Sequence, residues 1–167
     1  VGLITYMRTD SVRVAGEALE EARTHIADRY GADYLPSKPR AFKTAKKIQD
    51  AHEAIRPASL AHHPDDVKKF LGKDEFRLYQ LIWNRFIASQ MTPAVYDRTT
   101  IDITAGRFLF RVQGAVMTFP GYSIVWSETA PDKNVSDNGD GDDAGLTLPL
   151  LATGDLLKLL KLDSRQN

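Results

Sequence analysis

Apolar residues recur along this chain with two different periods, and the change of period divides it. Leu19, Ala22, Ile26 and Tyr30 stand three or four apart, the spacing of one helix face, and Gly31 follows where a helix-ending glycine belongs. This pattern predicts a helix over 15–30. Residues 34–45 hold Pro36 and Pro39 and read as a loop. A short helix over 45–55 is expected to stop near Arg56, because Pro57 disfavours helical backbone in the residue before it. Pro64 can open another short helix to about Leu71, at a position where its missing N–H costs nothing. The clearest helix is 74–91, where Phe76, Tyr79, Ile82, Trp83, Phe86 and Ile87 make one apolar face and Thr92-Pro93 ends it.

After Thr99 the period becomes two. Residues 100–104 and 108–112 alternate around Gly106 and predict a β-hairpin, with Val116–Phe119 as a further strand candidate. Residues 132–145 are Asp, Asn, Gly and Ser and are too polar to pack, so a mobile loop is expected there. Leu146–Leu151 and Leu156–Leu162 are apolar again, and the second fits a short amphipathic helix as easily as a strand. The fold class is therefore α+β: a helical half over 1–92, then a β half over 98–162.

Charge adds a local rather than a global signal. Lys and Arg number 22 and Asp and Glu number 22, so no net field advertises a nucleic-acid partner. Lys38, Arg40, Lys43, Lys46 and Lys47 nevertheless form a basic stretch, and Asp137, Asp140, Asp142 and Asp143 an acidic one. Cysteine is absent, which excludes disulfides, thiolate zinc sites and a cysteine nucleophile in these residues. No apolar run reaches a membrane span and no signal peptide is visible, so a cytoplasmic protein is expected. The chain opens at Val1 and stops at Asn167 without evident structural cause, as an excised segment of a longer protein would.

Few residues here suggest chemistry by type and spacing. In Tyr6-Met7-Arg8, a tyrosine hydroxyl is a competent phosphate nucleophile once its proton is removed. A guanidinium two residues on, facing the same side in extended backbone, matches the oxygens that gain charge during the attack. By spacing alone, such a pair is more often a core ring beside a surface charge. His52 and Arg56 would share a face if 45–55 were helical, and both could donate to one phosphate; charged surface pairs are the commoner outcome. His62-His63-Pro64-Asp65-Asp66 has metal-ligand residue types but reads better as a solvated helix start. Asp132–Asp137 alternates oxygen ligands as a calcium loop does, yet Asp137 stands where glycine is needed. The Tyr79, Trp83 and Phe86 stripe could stack bases, but at helical spacing it is more often core. No P-loop, dinucleotide fingerprint or nucleophile elbow occurs.

Taken together, the segments resemble bacterial type IA DNA topoisomerases. Residues 2–11, Gly-Leu-Ile-Thr-Tyr-Met-Arg-Thr-Asp-Ser, are similar to that family's active-site signature, and residues 51–57, Ala-His-Glu-Ala-Ile-Arg-Pro, to its second box. Residues 78–94 resemble a third segment, and Leu148-Pro149 with Gly154-Asp155-Leu156 a fourth. Met7 favours the topoisomerase I branch over topoisomerase III. The resemblance implies a catalytic-tyrosine domain over 1–72 with helix-turn-helix-like packing, a connecting helix over 73–97, and antiparallel strands of an incomplete arch domain over 98–167. It implies a strand over 155–162 paired with 146–151, and it makes 132–145 an insertion.

The resemblance also implies roles. Tyr6 would take the 5′ phosphate of a cleaved strand. Arg8 and His52 would hold the scissile phosphate as further catalytic, DNA-binding groups, and Arg56 would be a supporting DNA contact. The three main residues should line one concave surface. No metal site is implied in these residues; Mg²⁺ would be held by a toprim domain upstream, and ATP would not be needed. The partners would be single-stranded and negatively supercoiled DNA, the parent protein a monomer, and this segment alone inactive. Two alternatives are a non-enzymatic DNA-binding module with a basic loop, and a structural piece whose two boxes never meet.

Overall fold

In the computed structural model, residues 2–42, 52–126, 148–161 and 163 are described. The chain divides into two compact units, Val1–Val95 with Thr118–Ser136, and Tyr96–Met117 with Asp137–Asn167.

Among the described residues the first unit holds three α-helices, two of them long. Helix α1, Gly16–Tyr30, buries Ala18, Ala22 and Ile26, four residues apart on one narrow face. It ends as expected: Gly31 takes φ +99°, and its N–H donates to Ala27 O at 3.0 Å. The short helix α2, Pro64–Val67, starts at Pro64 as anticipated, and the preceding His63 caps it by accepting from the Asp65 N–H at 3.3 Å. His63 therefore serves a helix start, and among the described residues no group of three or more candidate ligands could hold a metal. Helix α3, Lys73–Gln90, begins where the Glu75 carboxylate accepts from the Gly72 N–H at 2.8 Å.

The aromatic face of α3 faces inward. Tyr79, Trp83, Phe86 and Ile87 are buried with Ala18, Ala22, Ile26, Leu60, Val67 and Met91 in the core. The stripe is thus core, with Trp83 only 2% exposed. Tyr79 meets the polar requirement of its hydroxyl by donating to His62 O at 2.6 Å. Glu21 ties a later segment to α1, accepting from the Leu60 N–H at 2.7 Å and the Ser59 hydroxyl at 3.1 Å.

Strands β1, Val95–Ala105, and β2, Phe108–Phe119, form a two-stranded antiparallel sheet. The two-residue turn between them has positive φ only at its first residue, Gly106 at +60°, the pattern of a type II′ hairpin turn. Residues 108–112 and 116–119, which the sequence pattern separates, are one continuous strand. Arg111 clamps Asp102 across it with bonds of 2.7 and 2.8 Å, so the carboxyl lies below and the guanidinium above its usual range. The α+β class holds. Among the described residues no helix is long and apolar enough to cross a membrane.

Two local expectations are corrected. Residues 52–55 are not helical; they form an irregular segment, because side chains and backbone from residues 3–13 satisfy their polar groups in place of helical bonds. The 45–51 part of that expected helix lies outside the described residues, as do 132–145 and residues 146, 147 and 162. The strand expected over 155–162 is absent in its described part: 148–151 and 155–161 form neither strand nor helix. A strand requires a hydrogen-bonded neighbour, and the leucines here stay in solvent, Leu150 and Leu156 almost wholly so.

Candidate active site

The two sequence boxes meet, and Thr5 and Ser11 join them. Ile4 bridges Pro57 in antiparallel fashion, with Thr5 N–H donating to Arg56 O and Ala58 N–H to Leu3 O, each at 2.9 Å. The Thr5 hydroxyl donates to Ala54 O at 2.8 Å and accepts from the Arg56 N–H at 3.0 Å. On the other side, the Ser11 hydroxyl donates to His52 O at 2.7 Å, and Ala54 N–H donates to Arg13 O at 2.8 Å. Residues 52–56 are therefore held between 3–5 and 11–13. Residues 6–10 must loop across, which leaves Tyr6 83% exposed.

That loop and the second box enclose a concavity of about 280 Å³ lined by Thr5, Tyr6, Arg8, His52 and Glu53. Arg8 Nη1 lies 3.1 Å from His52 Nε2 across a separation of 44 residues. Arg8 Nε pairs with Asp10 Oδ2 at 2.8 Å, and His52 Nδ1 lies 3.4 Å from the same oxygen. A guanidinium only donates, so His52 Nε2 is the acceptor in this arrangement. A neutral imidazole then carries its proton on Nδ1, on the side of Asp10. Asp10 Oδ1 and His52 Nδ1 are buried without a hydrogen-bond partner, so the trio is close but not closed. The alternative in which the two boxes never meet does not hold.

The family model described as DNA topoisomerase matches residues 1–167. This chain belongs to the DNA topoisomerase family. It is 43% identical over 169 residues to the proteins named DNA topoisomerase 1 of Xylella fastidiosa strains Temecula1 and 9a5c. Those alignments cover 100% of this chain and 20% of each relative, so the chain spans about one fifth of their length. Among solved structures it is similar to full-length topoisomerase I of Thermotoga maritima, with a TM-score of 0.64 and 39% identity over 75% of this chain and 20% of that one.

Within this topoisomerase-family chain, Arg56 stands apart from the other candidate residues. Its guanidinium is given to Glu53 Oε2 at 2.8 Å and Pro57 O at 2.9 Å, and its side chain is 11% exposed. It braces the second box and orients Glu53, and does not line the concavity itself. Two participants escaped sequence reasoning. Thr5 has no chemistry-bearing type, and its role is visible only once Ala54 and Arg56 are beside it. Asp10 is the other; its position two residues after Arg8, which lets it reach the same guanidinium, is the signal the sequence carries.

Proposed function

We propose that this chain carries the DNA-cleaving tyrosine of a type IA DNA topoisomerase. The reading rests on one observation: Tyr6, Arg8 and His52 line a single concavity although 44 residues separate the second from the third. In the proposed step the Tyr6 oxygen bonds to the scissile phosphorus as the bond from phosphorus to the 3′ oxygen breaks. The phenolic proton is released, and the departing 3′ oxygen takes one up. The 5′ phosphate stays on Tyr6. Reversal reseals the strand, and the phosphotyrosine ester conserves the bond energy, so ATP is not required.

Phosphoryl transfer depends mainly on positioning and charge stabilisation. Arg8 supplies a donor fork for the non-bridging oxygens. A phosphate entering the concavity would replace His52 Nε2 as the acceptor for Arg8. His52 would then face the phosphate through Nε2, with Nδ1 on the side of Asp10. Asp10 is a positioning residue in this scheme. The carboxylates near the concavity, Asp10 and Glu53, are each paired with an arginine. The residues present thus do not fit a magnesium site. Mg²⁺ would belong to a toprim domain beyond these residues, and no step here runs through it.

In the same reading, residues 1–72 are a catalytic-tyrosine domain and 73–97 a connecting helix. The β1–β2 hairpin and the extended leucine-rich segment after 148 contribute to an arch around passing DNA. The substrate is single-stranded or negatively supercoiled DNA, the parent is a monomer in the bacterial cytoplasm, and this segment alone is inactive. A non-enzymatic DNA-binding module is the competing reading. The test incubates the full-length protein with labelled single-stranded DNA and Mg²⁺ and looks for a covalent adduct on a denaturing gel. The adduct is expected for wild type and lost in Tyr6→Phe. Equal adduct in both would remove Tyr6 from the mechanism.

A further inference from the structure

A second concavity, of about 200 Å³, lies in the first unit and shares no residue with the first. Arg40, Phe42, Arg85, Tyr122 and Trp126 line it beside the last turns of α3. Its parts are held in place from several directions. Gln90, only 1% exposed, accepts from the Arg40 N–H at 3.1 Å and donates to Arg40 O at 3.3 Å, which fixes the backbone of an otherwise irregular segment. Gly121 takes φ +49° and presses against Thr92-Pro93, while Tyr122 N–H donates to Thr92 O at 2.9 Å. The following turn carries Trp126 to Arg85, whose guanidinium stands 5.1 Å from the ring centroid.

Two guanidiniums, those of Arg40 and Arg85, meet at this one concavity. Arg8, Arg56 and Arg111 each pair with a carboxylate. Among the described residues no acidic side chain lines this second concavity or pairs with Arg40 or Arg85. Phe42 is 51% exposed and Trp126 is partly buried, so the Phe42 ring is open beside the two guanidiniums. Flat aromatic faces next to phosphate-matching cations are the two components of sequence-tolerant binding to a single strand. The volume suits one planar ring rather than a drug-sized ligand.

We propose that this concavity is a second single-stranded DNA contact, in which a base stacks against Trp126 and Phe42 while Arg40 and Arg85 hold neighbouring phosphates. The proposal rests on the topoisomerase reading and adds a subsite away from the scissile phosphate.

The test uses the full-length protein carrying Tyr6→Phe, so that binding is read without covalent capture. Fluorescence anisotropy of a labelled oligothymidylate is followed from low to high salt. Trp126→Leu is expected to raise Kd about fivefold or more. It should also abolish the preference for oligothymidylate over an abasic strand of equal length. Arg40→Gln with Arg85→Gln should weaken both strands and flatten the log Kd against log salt slope by about 1.4, roughly 0.7 for each lost phosphate contact. Arg40→Lys with Arg85→Lys should keep that slope, which preserves the test if the glutamine variant misfolds. Unchanged affinity and base preference in Trp126→Leu, or an unchanged slope in the glutamine pair, overturns the subsite. Adduct formation is measured separately with Tyr6 intact. Its absence defeats the topoisomerase reading, whereas normal adduct with unaltered binding in these variants defeats the subsite alone.

Discussion

Thr5→Val isolates the joint that holds the two boxes together. Valine keeps the branched shape and removes the hydroxyl. Two backbone groups then lose their partner: Ala54 O, bonded at 2.8 Å, and Arg56 N–H, bonded at 3.0 Å. An unsatisfied buried group costs about 1–3 kcal/mol. Both are partly rather than fully buried, so about 2 kcal/mol for the pair is a reasonable central value. That corresponds to roughly a 30-fold rise in local opening, at about 1.4 kcal/mol per factor of ten. Amide hydrogen exchange on peptides covering 52–58 should speed up by about that factor, while the helical core around Trp83 keeps its protection. Covalent adduct formation should fall by about tenfold or more, because small misplacement of a phosphate-holding group is costly in rate. Thr5→Ser keeps the hydroxyl and should restore most of both. Wild-type exchange over 52–58 in Thr5→Val would show that the backbone bridge alone holds the boxes, and the argument from the hydroxyl would fail.

Three further outcomes follow from the same geometry. Asp10→Asn should lower adduct formation about tenfold or more, since Arg8 loses its ion pair and His52 its carboxylate neighbour; wild-type adduct formation would remove Asp10 as a positioning residue. Burial, then the nearby His63, hold the His25 imidazole below its ordinary value of 6.5, and its Nε2 is buried without a partner. Its stabilising effect is therefore complete above about pH 6.5 and lost as pH falls through the lower folded-state value; denaturant unfolding at pH 7.5, 6 and 5 should show this loss in wild type and a flatter dependence in His25→Phe. Gly121→Ala would put a methyl 2.4 Å from Pro93 backbone atoms at φ +49°. It should cost about 2 kcal/mol or more, read as a lower denaturation midpoint, and a wild-type midpoint would show that the turn yields freely.

What could be read in advance depended on whether the cause was local. Helix α3 was legible because one aromatic face meets one core, and the hairpin because Gly106 interrupts an alternating run. Tyr6 and Arg8 were legible as a pair because they are neighbours. The irregular course of 52–56 was not, since its hydrogen bonds come from Thr5, Ser11 and Arg13, some forty residues earlier. Periodicity carries no record of such partners, so a helix was expected where side chains had supplied other ones. The leucines after 155 failed differently. Their pattern suits an ordered element, but pattern alone provides no neighbouring strand.

The resting contacts at the first concavity bear on how the parent protein would hold its substrate. Arg8 is not an idle donor waiting for phosphate: it already bonds His52 and pairs with Asp10. A scissile phosphate would therefore exchange one acceptor for another, and the net gain is smaller than that of meeting a free guanidinium. Tyr6, 83% exposed, is packed against little of this chain. Such a site can align a phosphate without binding it tightly, which suits the proposed reaction, in which the strand is also released and resealed. Affinity for the strand has then to come from groups that are not already paired. Arg40 and Arg85, beside open aromatic surface and without a carboxylate among the described residues, are groups of that kind. Weak capture at Tyr6 and stronger capture elsewhere would let the strand remain bound while the phosphotyrosine bond opens and closes.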